Sequence, residues 1–299
     1  MSQAIRSLSP QEQLNFLLTN RIPRRLATRF MGWFSTIESP LLTRISIAVW
    51  RLFAQDLDLG DARTQRFSSL QQCFTRELAE GARPIDPRPE VLVSPCDAIV
   101  GALGRIDRTT VYQAKGFPYE LGDLIPDPAV TGKIRDGTFV TLRLKSSMYH
   151  RFHAPLDCHV SRLTYISGDT WNVNPIALRR IEKLFCKNER VVMELATGNE
   201  GSVTMVPVAA ILVASIRLHC LDEALSMKYR GPEVIHCNAS YRKGEEMGYF
   251  QHGSTIILFA SRHYELLPGI ENGARIRMGG PLMRFVETAA TKTPHPELP

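Results

Sequence analysis

The sequence has no Cys-x-x-Cys pair, no Walker-type phosphate loop and no Gly-x-Gly-x-x-Gly run, although it is 299 residues long. Its six cysteines are scattered along the chain, so zinc-ribbon and thioredoxin-type sites are excluded. The missing glycine-rich loops argue against nucleotide-binding functions. Scattered cysteines of this kind are typical of small core residues in a reducing, cytoplasmic compartment.

Long apolar runs are also missing. The longest uncharged stretch, residues 201–216, is shorter than the ~20 residues that a membrane-spanning helix needs, and Pro207 interrupts it. The first twenty residues contain Glu12 and no apolar segment, so we expect no secretory signal. With 44% hydrophobic and 22% charged residues, the chain has the composition of a globular protein with a sizeable core.

Acidic residues are scarce near the start of the chain. Residues 1–53 contain seven arginines but only two acids, Glu12 and Glu38, and so carry +5 of the formal net charge of +6. Four large apolar residues lie among these arginines: Trp33, Phe34, Ile47 and Trp50. This combination is typical of a segment that binds an anionic lipid surface, although a solvated basic surface has the same composition.

The hydrophobic pattern changes near residue 85. Before it, apolar residues recur every three or four positions in residues 41–53 and predict a helix, and a second helix is predicted for residues 68–80. After it, short apolar or alternating segments between turn residues predict strands. The predicted strands are Val91–Val93, 99–103, 109–113, Thr138–Leu144, 160–167, 191–195, 203–216 and 256–259. One helix is expected within residues 175–185.

We therefore predict an α+β protein in three parts. Residues 1–85 form a helical, basic, membrane-associating region, and residues 86–286 form a mostly antiparallel β catalytic domain. Residues 287–299, which are rich in threonine and proline, form a disordered tail.

Two polar clusters lie at the ends of predicted strands. In Ser94-Pro95-Cys96-Asp97-Ala98, the aspartate is either an ordinary turn residue or an acid that carries chemistry. The segment Tyr149-His150-Arg151-Phe152-His153-Ala154-Pro155 contains two histidines three positions apart. Its proline and the preceding strand indicate extended backbone, in which the two side chains face opposite ways. That geometry favours separate roles, or ordinary half-buried histidines, over a shared metal ion.

A third polar cluster, residues 244–255, leads into an apolar strand through Gly253 and Ser254. A Gly-Ser bond at this position is either a simple loop-to-strand junction or a strained peptide that can be attacked. Asp97, His153 and Ser254 could form an Asp–His–Ser relay if the fold brings them together.

The ordered set of motifs resembles the bacterial phosphatidylserine decarboxylase proenzyme family over most of the chain. Besides the clusters at 94–97, 149–155 and 243–255, the matching segments are Phe74-Thr75-Arg76-Glu77-Leu78, Gly81-Ala82-Arg83-Pro84, Gln113-Ala114-Lys115-Gly116, Trp171-Asn172-Val173-Asn174-Pro175 and Asn188-Glu189-Arg190. Two positions depart from the family: Ala98 stands where glycine is usual, and His252 where an apolar residue is usual.

The resemblance implies an enzyme that processes itself. His153, oriented by Asp97, removes the hydroxyl proton of Ser254, and the oxygen attacks the Gly253 carbonyl. The chain is then cut after Gly253, and Ser254 becomes a covalent pyruvoyl cofactor. This group accepts the electrons released when phosphatidylserine loses CO2 to give phosphatidylethanolamine. His150 is the acid that we expect to protonate the resulting carbanion.

The implied partners are phosphatidylserine, an anionic membrane surface at the cytoplasmic face of the inner membrane, and the two chains of one precursor in a homodimer. Neither a metal ion nor nucleic acid is implied. The nearest alternative is a pyruvoyl decarboxylase of a soluble amino acid, which the basic N-terminal region disfavours. A serine hydrolase would normally need a Gly-x-Ser-x-Gly turn, which Gly253-Ser254-Thr255 lacks. A non-catalytic membrane-binding module would leave the three polar clusters unexplained.

Overall fold

The computed structural model describes residues 24–287 apart from 55, 115–116, 199, 212–214, 227 and 252–253. Most of the predicted disordered tail therefore lies outside the described residues. The helices are α1 (Arg24–Ser35), α2 (Pro40–Phe53), α3 (Leu70–Phe74), α4 (Leu121–Leu124), α5 (Pro128–Ile134), α6 (Pro175–Leu178) and α7 (Leu184–Lys187). The strands are β1 (Val91–Val93), β2 (Ala98–Arg105), β3 (Thr110–Ala114), β4 (Phe117–Glu120), β5 (Thr138–Leu144), β6 (Arg151–His153), β7 (Cys158–Ile166), β8 (Arg190–Leu195), β9 (Val203–Ala209), β10 (Ser215–Leu218), β11 (Leu225–Ser226), β12 (Val234–Tyr241), β13 (Glu246–Phe250), β14 (Ser254–Ala260), β15 (Tyr264–Leu266), β16 (Arg275–Ile276) and β17 (Pro281–Phe285).

The sheets are antiparallel throughout the described part of the chain. An eight-stranded sheet has the order β12-β7-β8-β9-β14-β5-β2-β16, and a four-stranded sheet has the order β11-β10-β13-β6. Two small sheets, β1-β17-β15 and β3-β4, complete the set. The predicted α+β class with a mostly antiparallel β region is therefore confirmed.

Strand β14 lies inside the eight-stranded sheet and is buried on both faces. Because successive side chains of a strand face opposite ways, Ile256 and Leu258 join a core cluster that includes Phe152 and Phe250 of the four-stranded sheet. Ile257 and Phe259 join a second core cluster, which includes residues of α4–α7. Burial on both sides explains why this strand is apolar from Ile256 to Ala260.

Helix α2 confirms the helix predicted for residues 41–53. Ser39 caps it, since its hydroxyl accepts a hydrogen bond from the backbone N–H of Leu42 at 3.4 Å. Ile47 and Trp50 pack inward against a small core cluster, and Trp50 stacks on Phe74 with ring centroids 5.5 Å apart. None of the helices in the described ranges has the length and apolar character that a membrane crossing requires.

Two predicted helices are longer than the observed ones. A β-bridge limits the first helix, and hydrogen bonds from a glutamine side chain divide the second. The helix predicted for residues 68–80 ends at Phe74, since the following residues run extended and Leu78 forms an antiparallel bridge with Ala62. The helix predicted for residues 175–185 is two short helices, α6 and α7, because the Gln113 side chain bonds the backbone between them.

The strand predicted for residues 203–216 is also wrong in extent, since it is two strands in different sheets. β9 ends at Ala209 in the eight-stranded sheet, and β10 begins at Ser215 in the four-stranded sheet. The chain therefore passes from the eight-stranded sheet to the four-stranded sheet within this uncharged segment.

Candidate active site

Backbone hydrogen bonds bring the three polar clusters of the sequence together. The N–H of His153 donates to the Pro95 carbonyl at 2.8 Å, which joins the first cluster to the second. The N–H of Phe250 donates to the His150 carbonyl at 3.0 Å, which joins the second to the third. The candidate site is therefore built around β6 and β13, close in sequence to the start of β14.

Ser254 is the first residue of β14 and is fully buried. It lies opposite Leu144 of β5 and Ala209 of β9, where these three interior strands of the eight-stranded sheet begin or end. Its hydroxyl has no hydrogen-bond partner among the described residues. An unpaired buried hydroxyl is costly, so a polar role in chemistry is the natural reason for its presence. His252 and Gly253, where we predicted a family departure and the cleavage point, lie outside the described residues.

Asp97 is paired with Arg83, a residue that the sequence argument did not assign to the site. The Arg83 guanidinium donates to both carboxylate oxygens of Asp97, with its Nη2 2.7 Å from Oδ2 and its Nε 2.9 Å from Oδ1. The two side chains are 8% and 7% exposed. The backbone N–H of Met278 donates to Oδ1 as well, at 2.9 Å. The predicted orientation of His153 by Asp97 therefore has no direct hydrogen bond among the described residues.

His153 instead lies between a carbonyl and a tyrosine. Its Nδ1 is 2.9 Å from the Gly244 carbonyl oxygen, and its Nε2 is 2.9 Å from the Tyr149 hydroxyl. Because a carbonyl can only accept, Nδ1 carries the hydrogen and Nε2 accepts from Tyr149. Burial lowers the pKa of His153, and the hydrogen bond to Gly244 opposes that shift in part. The ring is therefore neutral near pH 7 and has a basic Nε2.

His150 is fully buried next to the N-terminal helical region. Its ring centroid is 4.0 Å from that of Phe74, which itself stacks on Trp50 of α2. The site is thus in packing contact with α2 and α3. The catalytic roles of Asp97, His150, His153 and Ser254 remain predictions.

Glu189 is a third residue of the site region, after Arg83 and Tyr149, to which no role was assigned from the sequence. It is fully buried, and its Oε2 has no partner among the described residues. Its backbone carbonyl accepts from the N–H of Ala209 at 2.8 Å, so one strand separates Glu189 from Ser254. Val191, two residues further along β8, joins the same core cluster as Ala209, so Glu189 occupies the sheet face of Ser254.

The signals for Arg83, Tyr149 and Glu189 were present within the matched motifs. Each lies in one of the quoted segments, at 81–84, 149–155 and 188–190. What the motifs could not indicate is which of their polar residues pair with one another, since the pairing depends on strand register.

A cavity of about 1150 Å³ lies at the end of the eight-stranded sheet where β14 begins. Leu144 and Ala210, at the ends of β5 and β9, line it where β14 begins. Its apolar wall comes from the helical region: Met31, Phe34, Leu42, Ile45, Val49, Trp50, Phe53, Leu70 and Phe74. A cavity of this size and lining can hold an elongated apolar ligand next to Ser254.

Comparison with known proteins agrees with the motifs. Residues 70–284 match the family model described as phosphatidylserine decarboxylase. A phosphatidylserine decarboxylase proenzyme of Brevibacillus brevis is 32% identical over 88% of this chain and 94% of its own length. Proteins of the same name from Aliivibrio fischeri, at 32% identity over 89% and 93%, and Shewanella amazonensis, at 31% over 92% and 99%, are similar over nearly their whole lengths. The chain therefore belongs to the phosphatidylserine decarboxylase family.

Proposed function

We propose that the chain converts phosphatidylserine to phosphatidylethanolamine and CO2 after cutting itself between Gly253 and Ser254. The family membership supports the reaction. The observation that carries the proposal is the buried hydroxyl of Ser254, which has no hydrogen-bond partner among the described residues and whose cross-strand partner Leu144 lines a large apolar cavity. A serine hydrolase would instead need its nucleophile accessible as a free hydroxyl.

The surroundings of Ser254 fit a pyruvoyl group made from this residue. β14 pairs along its whole length with both β5 and β9, so a new chain end at Ser254 would stay fixed between them. The small side chain of Ala209 lies directly opposite and leaves room beside Ser254. When present, the pyruvoyl ketone supplies the electron acceptor that decarboxylation of an amino acid requires.

In the proposed self-cleavage, His153 Nε2 takes the hydroxyl proton of Ser254. The neutral Nδ1–H form of His153 supports this role, since its Nε2 lone pair is available once Tyr149 moves or passes the proton on. Asp97 acts as a positioning residue. Together with Arg83 it holds the turn whose Pro95 carbonyl fixes the backbone of His153. His150 remains our candidate for protonating the substrate carbon, supported by its burial beside Phe74.

The surface of α1 and α2 supports peripheral membrane binding. Large apolar side chains face solvent here, among them Phe30 at 58%, Trp33 at 62%, Leu52 at 73% and Phe53 at 85% exposed. Arg29, Arg44 and Arg51 are exposed beside them. An apolar face flanked by arginines is suited to anionic lipid, and we place it at the cytoplasmic face of the inner membrane. Ile47 and Trp50, which we expected in this surface, pack inward instead.

The cavity and the apolar face are continuous. Ile45, Val49 and Phe53 are exposed and also line the cavity, so a lipid could pass from a bilayer surface to the site without leaving an apolar environment. This continuity favours a phospholipid over a soluble amino acid as the substrate. A homodimer remains a prediction.

Denaturing electrophoresis with N-terminal analysis tests the proposal. The wild type should give a chain ending at Gly253 and a shorter chain with a blocked N-terminus, whereas Ser254→Ala and His153→Ala should stay uncut. His150→Ala should be cut but should release no CO2 from phosphatidylserine vesicles. An active preparation of a single intact chain would contradict the pyruvoyl group. Decarboxylation of free serine in preference to vesicles would support the soluble-substrate alternative.

A further inference from the structure

The charged residues that line the large cavity all carry positive charge in the described part of the chain. These residues are Arg143 and Lys145. Lys145 is neutralised, since its Nζ forms an ion pair with Asp56. Arg143 forms no ion pair or side-chain hydrogen bond with any described residue. The cavity therefore contains one cation whose charge the described chain does not balance.

Arg143 is partly buried at this position. It is neither fully exposed nor near a carboxylate, and burial lowers the pKa of its guanidinium. Removing a cation from water without a counter-charge is unfavourable, so a ligand that supplies the anion would be bound strongly. A guanidinium is suited to a phosphate in particular, because its planar N–H groups donate to two oxygens at once.

Arg143 is the neighbour, along β5, of the residue that pairs with Ser254. Arg143 lies directly opposite Thr255, and Leu144 lies opposite Ser254, so the cation and the reacting residue belong to neighbouring cross-strand pairs. Neighbouring pairs are about 3.4 Å apart along the strands, and their side chains leave opposite faces of the sheet. In phosphatidylserine, one oxygen and two carbon atoms separate the phosphorus from the amine. Because the cavity reaches both Arg143 and Leu144, the cross-strand partner of Ser254, a head group whose amine is at the start of β14 would have its phosphate within reach of the long arginine side chain.

We propose that Arg143 binds the phosphodiester of the phospholipid substrate and so determines where its amine lies against Ser254. This role rests on the proposed function. It makes Arg143 a residue of substrate binding, separate from the self-cleavage that the precursor performs without substrate.

Kinetics and product binding test this role on the mature enzyme. In Arg143→Met, we expect KM for dihexanoyl phosphatidylserine and Kd for dihexanoyl phosphatidylethanolamine, the latter by calorimetry, to rise about 10-fold or more. The kcat should stay within about 2-fold, and self-cutting on a denaturing gel should be unaffected. Arg105→Met is the matched control, because it removes an exposed arginine opposite Thr138 at the far end of β5.

The outcomes separate this proposal from the function on which it rests. If the wild type decarboxylates the lipid and Arg143→Met leaves KM and Kd unchanged, the phosphate role is wrong and the function stands. If the wild type cuts itself but neither binds nor decarboxylates the lipid, the function fails. Arg143→Gln, which keeps polar hydrogen bonding without charge, repeats the test if the methionine variant does not fold. Failure of both variants to cut themselves would make Arg143 structural and overturn the proposal.

Discussion

The single hydroxyl hydrogen of Tyr165 faces two oxygen atoms, one of them on the buried Glu189. The Tyr165 hydroxyl lies 2.9 Å from Glu189 Oε1 and 2.8 Å from the Ser226 carbonyl oxygen. It can donate to one of them only. Both contacts are hydrogen bonds if Tyr165 donates to Ser226 and a protonated Glu189 donates to Tyr165. Burial raises the pKa of Glu189 to about 7, even though a hydrogen bond donated by Tyr165 would lower it, so the protonated form is favoured below that pH.

Glu189→Gln should remove a pH dependence of stability. The folded protein keeps this proton up to about pH 7, whereas the unfolded chain releases it near the ordinary value of 4.5. The free energy of unfolding of the wild type should therefore fall as pH rises from about 4.5 to 7, by about 3 kcal/mol in total. Glutamine cannot ionise but can still donate to Tyr165. Urea unfolding at pH 5 and pH 8, in an uncut Ser254→Ala background, measures the difference.

Glu194→Gln is the matched control for that measurement. Glu194 lies on the same strand, β8, but is half-exposed and paired with Lys133. We expect Glu189→Gln to gain stability relative to its parent at pH 8 but not at pH 5. An equal effect at both pH values would show that Glu189 is ionised in the folded protein.

For single residues, the sequence predicted which residue types belong to the site better than it predicted their hydrogen-bond partners. Asp97, His153 and Ser254 were chosen from motifs, and the fold does bring their clusters together. Arg83 and Tyr149 were not assigned, although each forms the principal side-chain contact of a chosen residue. Hydrogen-bond partners depend on register and side-chain reach, which no local pattern specifies.

Among the elements, α2 illustrates how an amphipathic pattern can be correct and still leave its direction open. The periodic residues at 41, 45, 49 and 52 do share one face, but that face is exposed and Thr43 is buried instead. The same three-and-four spacing serves a helix that packs on a core and one that packs on lipid. Tertiary packing therefore decides which side of α2 is available for a membrane.

Replacing the exposed aromatic residues of α1 should weaken membrane binding. For Phe30→Ser/Trp33→Ser, we expect sedimentation with phosphatidylserine-containing vesicles to fall about 10-fold or more, since burying each aromatic side chain contributes about 1.5–3 kcal/mol. Both side chains are more than half exposed, so the fold and self-cutting should be kept.

Tyr112→Ser provides the control for surface aromatics in general. Tyr112 is 48% exposed on β3, away from the N-terminal helices. Its loss should leave vesicle binding unchanged. Equal vesicle binding by the α1 double variant and the wild type would contradict a membrane-binding role and indicate an ordinary solvated basic surface.

The missed elements have identifiable causes. β12 alternates between exposed and half-buried positions and contains His236 and Asn238, so its apolar signal is weak for an edge strand. β13 contains Gly248, whose lack of a side chain is required by the Arg217 carbonyl oxygen, which lies 2.1 Å from where a Cβ would stand. Edge position and close backbone approach are properties of the assembled sheet.

For the whole molecule, the cleavage point lies in the middle of the fold. β14, β16 and β17 would belong to the short chain, yet β14 lies between β5 and β9, β16 pairs with β2, and β17 pairs with β1. A cut before Ser254 therefore separates the chain in sequence without separating its sheets.

The two chains should remain together after cutting. On size-exclusion chromatography without denaturant, we expect them to elute as one species at the volume of the uncut Ser254→Ala protein. Complete burial of β14 makes its release equivalent to unfolding the core. Elution of the short chain alone under native conditions would contradict this pairing. The same column run against standards tests the predicted homodimer.

Local patterns in the chain were sufficient for the fold class, for the helix α2, for the strands Val91–Val93 and Thr138–Leu144 at their observed limits, and for the family motifs. These features depend on side-chain periodicity and on residue order, which are properties of the chain. Three-dimensional packing decided the rest: Asp97 meets Arg83, the apolar face of α2 points outward, and Arg143 lines the cavity without a counter-charge from any described residue. Each of these depends on contacts between residues far apart in sequence, whose energies arise only when the sheets are assembled.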